Sequence, residues 1–244
     1  DLHSFPTRRS SDLIDLPGFG GSEKTDRPYR PSMYQEAITD FIKNQIGKPA
    51  HVLALGNSSA YASMAALDEP DWIRSLVLIN PRGFEMPHPT TLKAQTYHDR
   101  AKDIFLSYLK VPLWSLPIYD ALASRTRVTS FYHNRFCYSV PGDLIDLAYT
   151  SAHQAGAHFA PMVLLSGKLK VPNVREKYYE KLTVPVFVVY DNEEGVSFDM
   201  LPQLVNDKPD WKAFCSRNTR GMPHFERTGD LYRQFDLFWK KHDQ

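Results

Sequence analysis

Four short apolar runs punctuate the chain: His51–Leu55, Ser75–Ile79, Val186–Tyr190 and Trp211–Cys215. Each is too short for a helix, so each reads as a buried strand. A further stub, Ile14–Leu16, reads as a strand that enters the turn cluster Pro17-Gly18-Phe19-Gly20-Gly21-Ser22. Between the runs the period changes. Over 34–46, Ala37, Ile38, Phe41, Ile42 and Ile46 recur at helical spacing, and Gly47 marks the stop. The stretch 61–67 is small-residue and helical. The last segment, 230–241, puts Leu231, Phe235, Phe238 and Trp239 on one face of an amphipathic helix. Short apolar strands alternating with helices predict an α/β fold whose mostly parallel sheet carries helices on both faces.

One block breaks the alternation. From 87 to 171 no buried strand is expected, and helical patches such as 91–109 and 143–157 fill the interval. That is long for a single crossover. No Gly/Ser linker flanks it, so it reads as a helical insertion over the carboxyl edge of the sheet rather than an independent domain. The expected core is then 14–86 together with 172–244. Aromatic residues Tyr97, Phe105, Tyr108, Trp114, Tyr119, Phe131 and Tyr132 crowd the insertion. They fit an apolar pocket lining or plain core.

Composition narrows the classes. Of 244 residues, 29 are Lys or Arg and 28 are Asp or Glu, a formal charge of +1. No global field favours nucleic acid. No apolar run approaches the roughly 18 residues of a membrane span, and no signal-peptide pattern is present, which together predict a cytoplasmic location. The oligomeric state is left open. Cys137 and Cys215 are far apart and are expected to be two buried thiols. There is no phosphate-cradling glycine pattern and no metal-ligand spacing, so neither cofactor nor metal is implied.

Residues 1–13 stand apart. From His3 to Leu13 they match, residue for residue, the translation of a common sequencing-adapter oligonucleotide. They are therefore expected to be an artefact that replaces natural sequence and are excluded from fold reasoning.

The chemistry concentrates at three places. Gly56-Asn57-Ser58-Ser59-Ala60 joins an apolar strand to a small-residue helix. A nucleophilic serine on such a strained turn needs small residues two positions to either side. Gly56 and Ala60 meet that need for Ser58, whereas Asn57 and Tyr61 fail it for Ser59. The same pattern also fits a capping serine. A serine nucleophile needs a base, and the base an orienting carboxylate. His224 is placed for it, in the stretch after the last strand, where open α/β sheets keep their sites. His153 and His158 lie in the insertion and fit pocket-lining roles, as does Asn57. The acid should follow the third long run, where Asp191, Glu193 and Glu194 compete.

Taken together, Asp15-Leu-Pro-Gly-Phe-Gly-Gly-Ser22, the 56–60 elbow, the run 75–81, the run 185–190 and the late His224-Phe-Glu resemble the α/β-hydrolase superfamily from Ile14 to the C-terminus. The resemblance implies a serine hydrolase in the chain order Ser58, acid, His224, with the insertion as a cap. A gap-free alignment on the family's strand–Gly-x-x-Asp pattern puts the acid at Glu194 and places Asp191 where glycine is usual. It also implies the Ser59 backbone N–H as one oxyanion donor. The chain departs in having Ala60 for Gly, Glu for Asp, and Asn80 where some members carry the acid. The family's first strands and its His-Gly oxyanion loop have no counterpart after Leu13. The implied reaction is hydrolysis of an ester-like small molecule through an acyl-enzyme. A lyase or other non-hydrolytic enzyme using the same triad, and a non-catalytic ligand-binding member, are the alternatives.

Overall fold

The computed structural model describes residues 11–86 and 112–242. Its centre is a four-stranded sheet of β1 (Ala50–Leu55), β2 (Ile73–Ile79), β3 (Val186–Tyr190) and β4 (Trp211–Cys215) in sequential order. Every neighbouring pair is parallel. Parallel strands need crossovers, and the helices supply them. They are α1 (Pro31–Phe41), α2 (Ser58–Asp68), α3 (Pro112–Leu122), α4 (Arg125–His133), α5 (Gly142–Ala152), α6 (Phe159–Leu165), α7 (Val174–Lys177), α8 (Leu201–Asp207), α9 (Pro223–Glu226) and α10 (Thr228–His242). Helix α1 runs on into a wider turn, Ile42–Ile46, which stops at left-handed Gly47.

Period-two alternation divides the interior into two layers. Leu76, Leu78, Val186 and Val188 face a cluster with Tyr34 and Ile38 of α1, Ile42 of the turn after it, and Tyr61, Ala62 and Ala65 of α2. Val77, Ile79, Phe187 and Val189 face the other way, onto Leu231, Phe235 and Phe238 of α10. Helix α2 buries residues on most of its circumference, from Ser59 through Ala66. Only small residues fit such close packing against the sheet, which accounts for its run of Ala and Ser.

Sheet position decides burial. All of β2 except Arg74 is buried, and all of β3 except Tyr190. Strands β1 and β4 are edges, each hydrogen-bonded to one neighbour among the described residues. The expectation of four buried strands therefore needs correction at both edges. Leu53 of β1 is exposed, as are Lys212, Ala213 and Cys215 of β4. Cys137 is exposed too, so neither thiol is buried as the composition suggested. Ile14–Leu16 forms no strand and runs as irregular chain into its turn. The patch 143–157 also ends early. His153 N–H bonds Thr150 O (3.2 Å), closing α5 at Ala152 with a tightened last turn. The patch 91–109 lies outside the described residues.

Between β2 and β3 no strand occurs among the described residues, only α3 to α7 and short turns. The later part of this interval joins the main core, where Ala160, Leu169 and Val174 are buried. Tyr119, Ala123 and Ala157 form a small cluster of their own. Gly18 shows how tightly the 17–22 turn packs against α6. Its φ is +88°, and a Cβ there would lie 2.4 Å from the Ala160 Cβ and 2.7 Å from the Tyr29 ring. Lys24 spans the same junction, its Nζ donating to Ser22 O (3.1 Å) and to Gln154 Oε1 (2.6 Å).

Candidate active site

Because the strands are parallel, their carboxyl ends share one edge of the sheet, and the candidate residues gather there. Ser58 follows β1, Asn80 and Arg82 follow β2, the three acids follow β3, and His224 follows β4.

Ser58 opens α2 and is half-buried. The left-handed residue of its turn is Gly56 (φ +57°), and Ser58 is not among the described non-glycine residues with positive φ. The strain expected at the serine falls two residues earlier, where the missing Cβ makes it inexpensive. Ser59 is fully buried, and its N–H donates to Gly56 O at 3.2 Å. The candidate oxyanion donor is thus occupied within the turn.

Ser58 and Asn57 line an open-mouthed cavity of about 280 Å³. Its other walls include Leu16, Phe19, Tyr34, Tyr61 and Leu164. Burial pushes the Tyr61 hydroxyl up to about 12 and raises Tyr34 well above the phenol range, with Tyr61 and Tyr29 adding to the latter. Both phenols therefore stay protonated at any physiological pH. A second hollow of about 330 Å³ opens at β4, between α8 and α10. It is remote from these residues.

The three acids after β3 have three different environments. Asp191 is buried, 3 % exposed. Its Oδ1 accepts from Asn80 Nδ2 (2.9 Å), and its Oδ2 accepts from Thr219 Oγ1 (2.9 Å) and Gly221 N (2.7 Å). Its own N–H donates to Asn80 Oδ1 (3.0 Å). Asn80 adopts left-handed φ (+46°), which lets its side chain meet Asp191. Glu193 is buried as well, and its Oε1 accepts from Arg82 and from Arg135 of the insertion, both at 2.8 Å. Glu194 is exposed, and among the described residues no hydrogen bond or ion pair engages it.

His224 sits on the one-turn helix α9 rather than in the open loop expected of it. Its half-buried ring lies 4.7 Å from that of Phe225. Among the described residues no hydrogen bond joins Ser58, Glu194 and His224 to one another. His153 is exposed, bonded through Nδ1 to Tyr149 O (2.8 Å) and packed on the Tyr149 ring. His158 lies between Tyr119 and Phe159. Neither histidine borders the cavity beside Ser58. Of the insertion aromatics, Tyr119 is buried and Phe131 exposed, and neither borders that cavity. Tyr97, Phe105, Tyr108 and the Trp114 side chain lie outside the described residues.

Nothing in the sequence pattern singles out Tyr34, Thr219 or the pair Arg82 and Arg135. The one available signal was Asp191 itself, an acid standing where the hydrolase pattern has glycine. The described residues contain no group of three or more His, Cys, Asp and Glu able to hold a metal ion. They contain no helix long and apolar enough to cross a membrane.

Comparison with known proteins places the fold. A serine hydrolase involved in carbazole degradation superposes with a TM-score of 0.68 at 16% identity, over 93% of this chain and 77% of that one. An esterase from Exiguobacterium antarcticum gives 0.67 at 12% identity, over 93% and 80%. A meta-cleavage product hydrolase from Pseudomonas fluorescens IP01 gives 0.64 at 14% identity, over 93% and 78%. At these identities the likeness is one of fold. No curated protein sequence matches the chain. The sequence itself matches the Alpha/beta hydrolase family across residues 4–229, so the chain belongs to that family.

Proposed function

We propose that this protein is a serine hydrolase of ester-like small molecules, with Ser58 as nucleophile, His224 as base and Glu194 as the orienting acid. The observation that carries the reading is the position of Ser58. It stands on the turn from β1 to α2 and lines a largely apolar cavity, with no hydrogen bond made by its hydroxyl among the described residues. Similar folds whose names describe esterases and hydrolases support it.

In this reading Ser58 Oγ attacks the ester carbonyl carbon while His224 takes its proton. The carbonyl electron pair moves onto oxygen. The proton then passes to the departing alcohol, and water releases the acid by the same route. The Ser59 N–H would exchange its bond to Gly56 O for the developing oxyanion, a stronger, charged acceptor. Glu194 is favoured as acid because Asp191 and Glu193 already accept from other partners. Strands β1 and β4 are three spacings apart, roughly 14 Å. The His224 segment must therefore reach across the sheet edge, and catalytic hydrogen bonds commonly tighten only around substrate.

Labelling with a fluorophosphonate, located by peptide mass, tests the assignment. Ser58 should carry the label. Ser58→Ala should abolish labelling, Ser59→Ala should keep it, and Glu194→Gln should slow it by orders of magnitude, since an amide cannot stabilise the imidazolium. A protein that binds ester analogues but never labels would be a ligand-binding member instead. Equal loss in the two serine variants would remove Ser58 from the role.

A further inference from the structure

The helix that carries His224 is too short to fix its own place. Helix α9 is four residues long, a single turn, and one turn is unfavourable by itself because several dihedrals are fixed for one hydrogen bond. Local bonds such as Arg227 N–H to Pro223 O (2.8 Å) close the turn but do not decide where it sits. Two longer-range anchors do. Before the helix, Gly221 N–H donates to Asp191 Oδ2 (2.7 Å). At its last residue, Glu226 reaches the insertion, where its Oε1 accepts from the backbone N–H groups of Cys137 (2.7 Å) and Tyr138 (2.9 Å). Phe225 packs beside this contact on buried Phe136, with ring centroids 5.8 Å apart. The same stretch of the insertion, 135–138 between α4 and α5, also grips the acid loop, because Arg135 Nη1 donates to Glu193 Oε1 (2.8 Å). Glu193 directly precedes Glu194. One short segment therefore holds both the helix of the candidate base and the loop of the candidate acid.

We propose that Glu226 is a positioning residue for His224, acting by reach rather than by charge: it clamps α9 to the 135–138 segment and so sets the base relative to the acid loop. The inference rests on the reading of Ser58, Glu194 and His224 as the reacting set. Glu226 touches none of the reacting atoms and does not line the Ser58 cavity. Its loss should therefore fall on the rate of the chemical step and leave ligand binding alone. Misplacing a reacting group by about 1 Å can cost about a hundredfold in rate. A turn as short as α9, released at its rear anchor, can shift by that much.

The test labels the full chain with an alkyl fluorophosphonate over a range of concentrations, which separates the maximal rate from the half-saturating concentration. Three variants, each read well below its melting temperature, separate reach from charge. Glu226→Gln loses the charge but keeps an acceptor oxygen at the same reach. Glu226→Asp keeps the charge but is one carbon shorter. Glu226→Ala loses both. Glu226→Gln should keep the maximal rate within about fivefold, whereas Glu226→Asp and Glu226→Ala should lose about thirty- to a hundredfold. The half-saturating concentration should stay within about twofold in all three. In the parent protein, hydrogen exchange should find the Cys137 and Tyr138 amides protected although both residues are exposed. Glu226→Gln as slow as Glu226→Ala, or Glu226→Asp as fast as the parent, would overturn the inference, and so would a loss confined to the half-saturating concentration. Fast exchange at both amides would overturn it without any variant. A labelled parent with three indifferent variants would overturn this inference alone, while a parent that never labels would overturn the reading of Ser58 and this inference with it.

Discussion

Two regions at the same edge of the sheet treat buried polar groups in opposite ways. The Asp191 carboxylate and N–H are fully engaged: two carboxyl oxygens meet three donors, and the backbone N–H meets Asn80. Around Ser58, its half-buried hydroxyl lines a cavity with no bond made among the described residues, and the Tyr34 hydroxyl is buried nearby without one. The first arrangement ties the segments after β2, β3 and β4 into one unit. The second leaves the Ser58 hydroxyl able to meet a molecule that is not protein. Buried polar groups are almost always satisfied when their task is structural. Asp191, held by three donors, therefore ties its neighbours together.

Removal of the framework carboxyl should have the largest effect. Asp191→Ala leaves the buried donors of Asn80, Thr219 and Gly221 without their acceptor, at about 1–3 kcal/mol each. A loss of about 3–5 kcal/mol, or roughly 10 °C in melting temperature, is expected in a thermal melt. A shift of a degree or two would show that the cluster is dispensable and dissolve the contrast. Glu193→Gln comes next. It leaves Arg82 and Arg135 facing a neutral amide, and because both are about one-third exposed, water softens the loss to about 1–2 kcal/mol. Urea unfolding of Glu193→Gln, Arg135→Gln and the double variant checks it. The double variant should lose less than the sum of the singles, because the two residues share one contact.

The smallest effects give the most direct comparison, since each removes one buried hydroxyl. Thr219→Val should cost about 1 kcal/mol, because Asp191 loses a donor. Tyr34→Phe should stay within about 0.5 kcal/mol of the parent. Paired urea titrations decide the matter, and similar losses in both variants would mean that the two regions do not differ.

Much of the scaffold is legible in the sequence because period and run length encode which face of an element is apolar. All four strands and the apolar face of α10 follow from that pattern alone. The pattern does not encode position within the sheet. Trp211–Cys215 is as apolar a run as others, yet as an edge strand it exposes Lys212, Ala213 and Cys215. Ser58 is legible because steric demand at a strand–helix turn is local. Tyr34 is not, because a tyrosine within an apolar helix pattern looks like ordinary core until the cavity beside it is known.

The sequence by itself determined the order of strands and helices, the small-residue turn at Ser58, and a histidine after the last strand. Tertiary structure alone separated Asp191, Glu193 and Glu194. As neighbours on one loop they are near-equivalent in sequence, but Asn80 and Arg82 reach them from 111 residues away, Arg135 from 58 and Thr219 from 28. The role of a carboxyl group depends on which donors surround it, and here those donors come from other strands and from the insertion. Local periodicity carries no record of them, so only the folded arrangement could make one acid a clamp, one an ion-pair partner, and leave the third exposed to solvent.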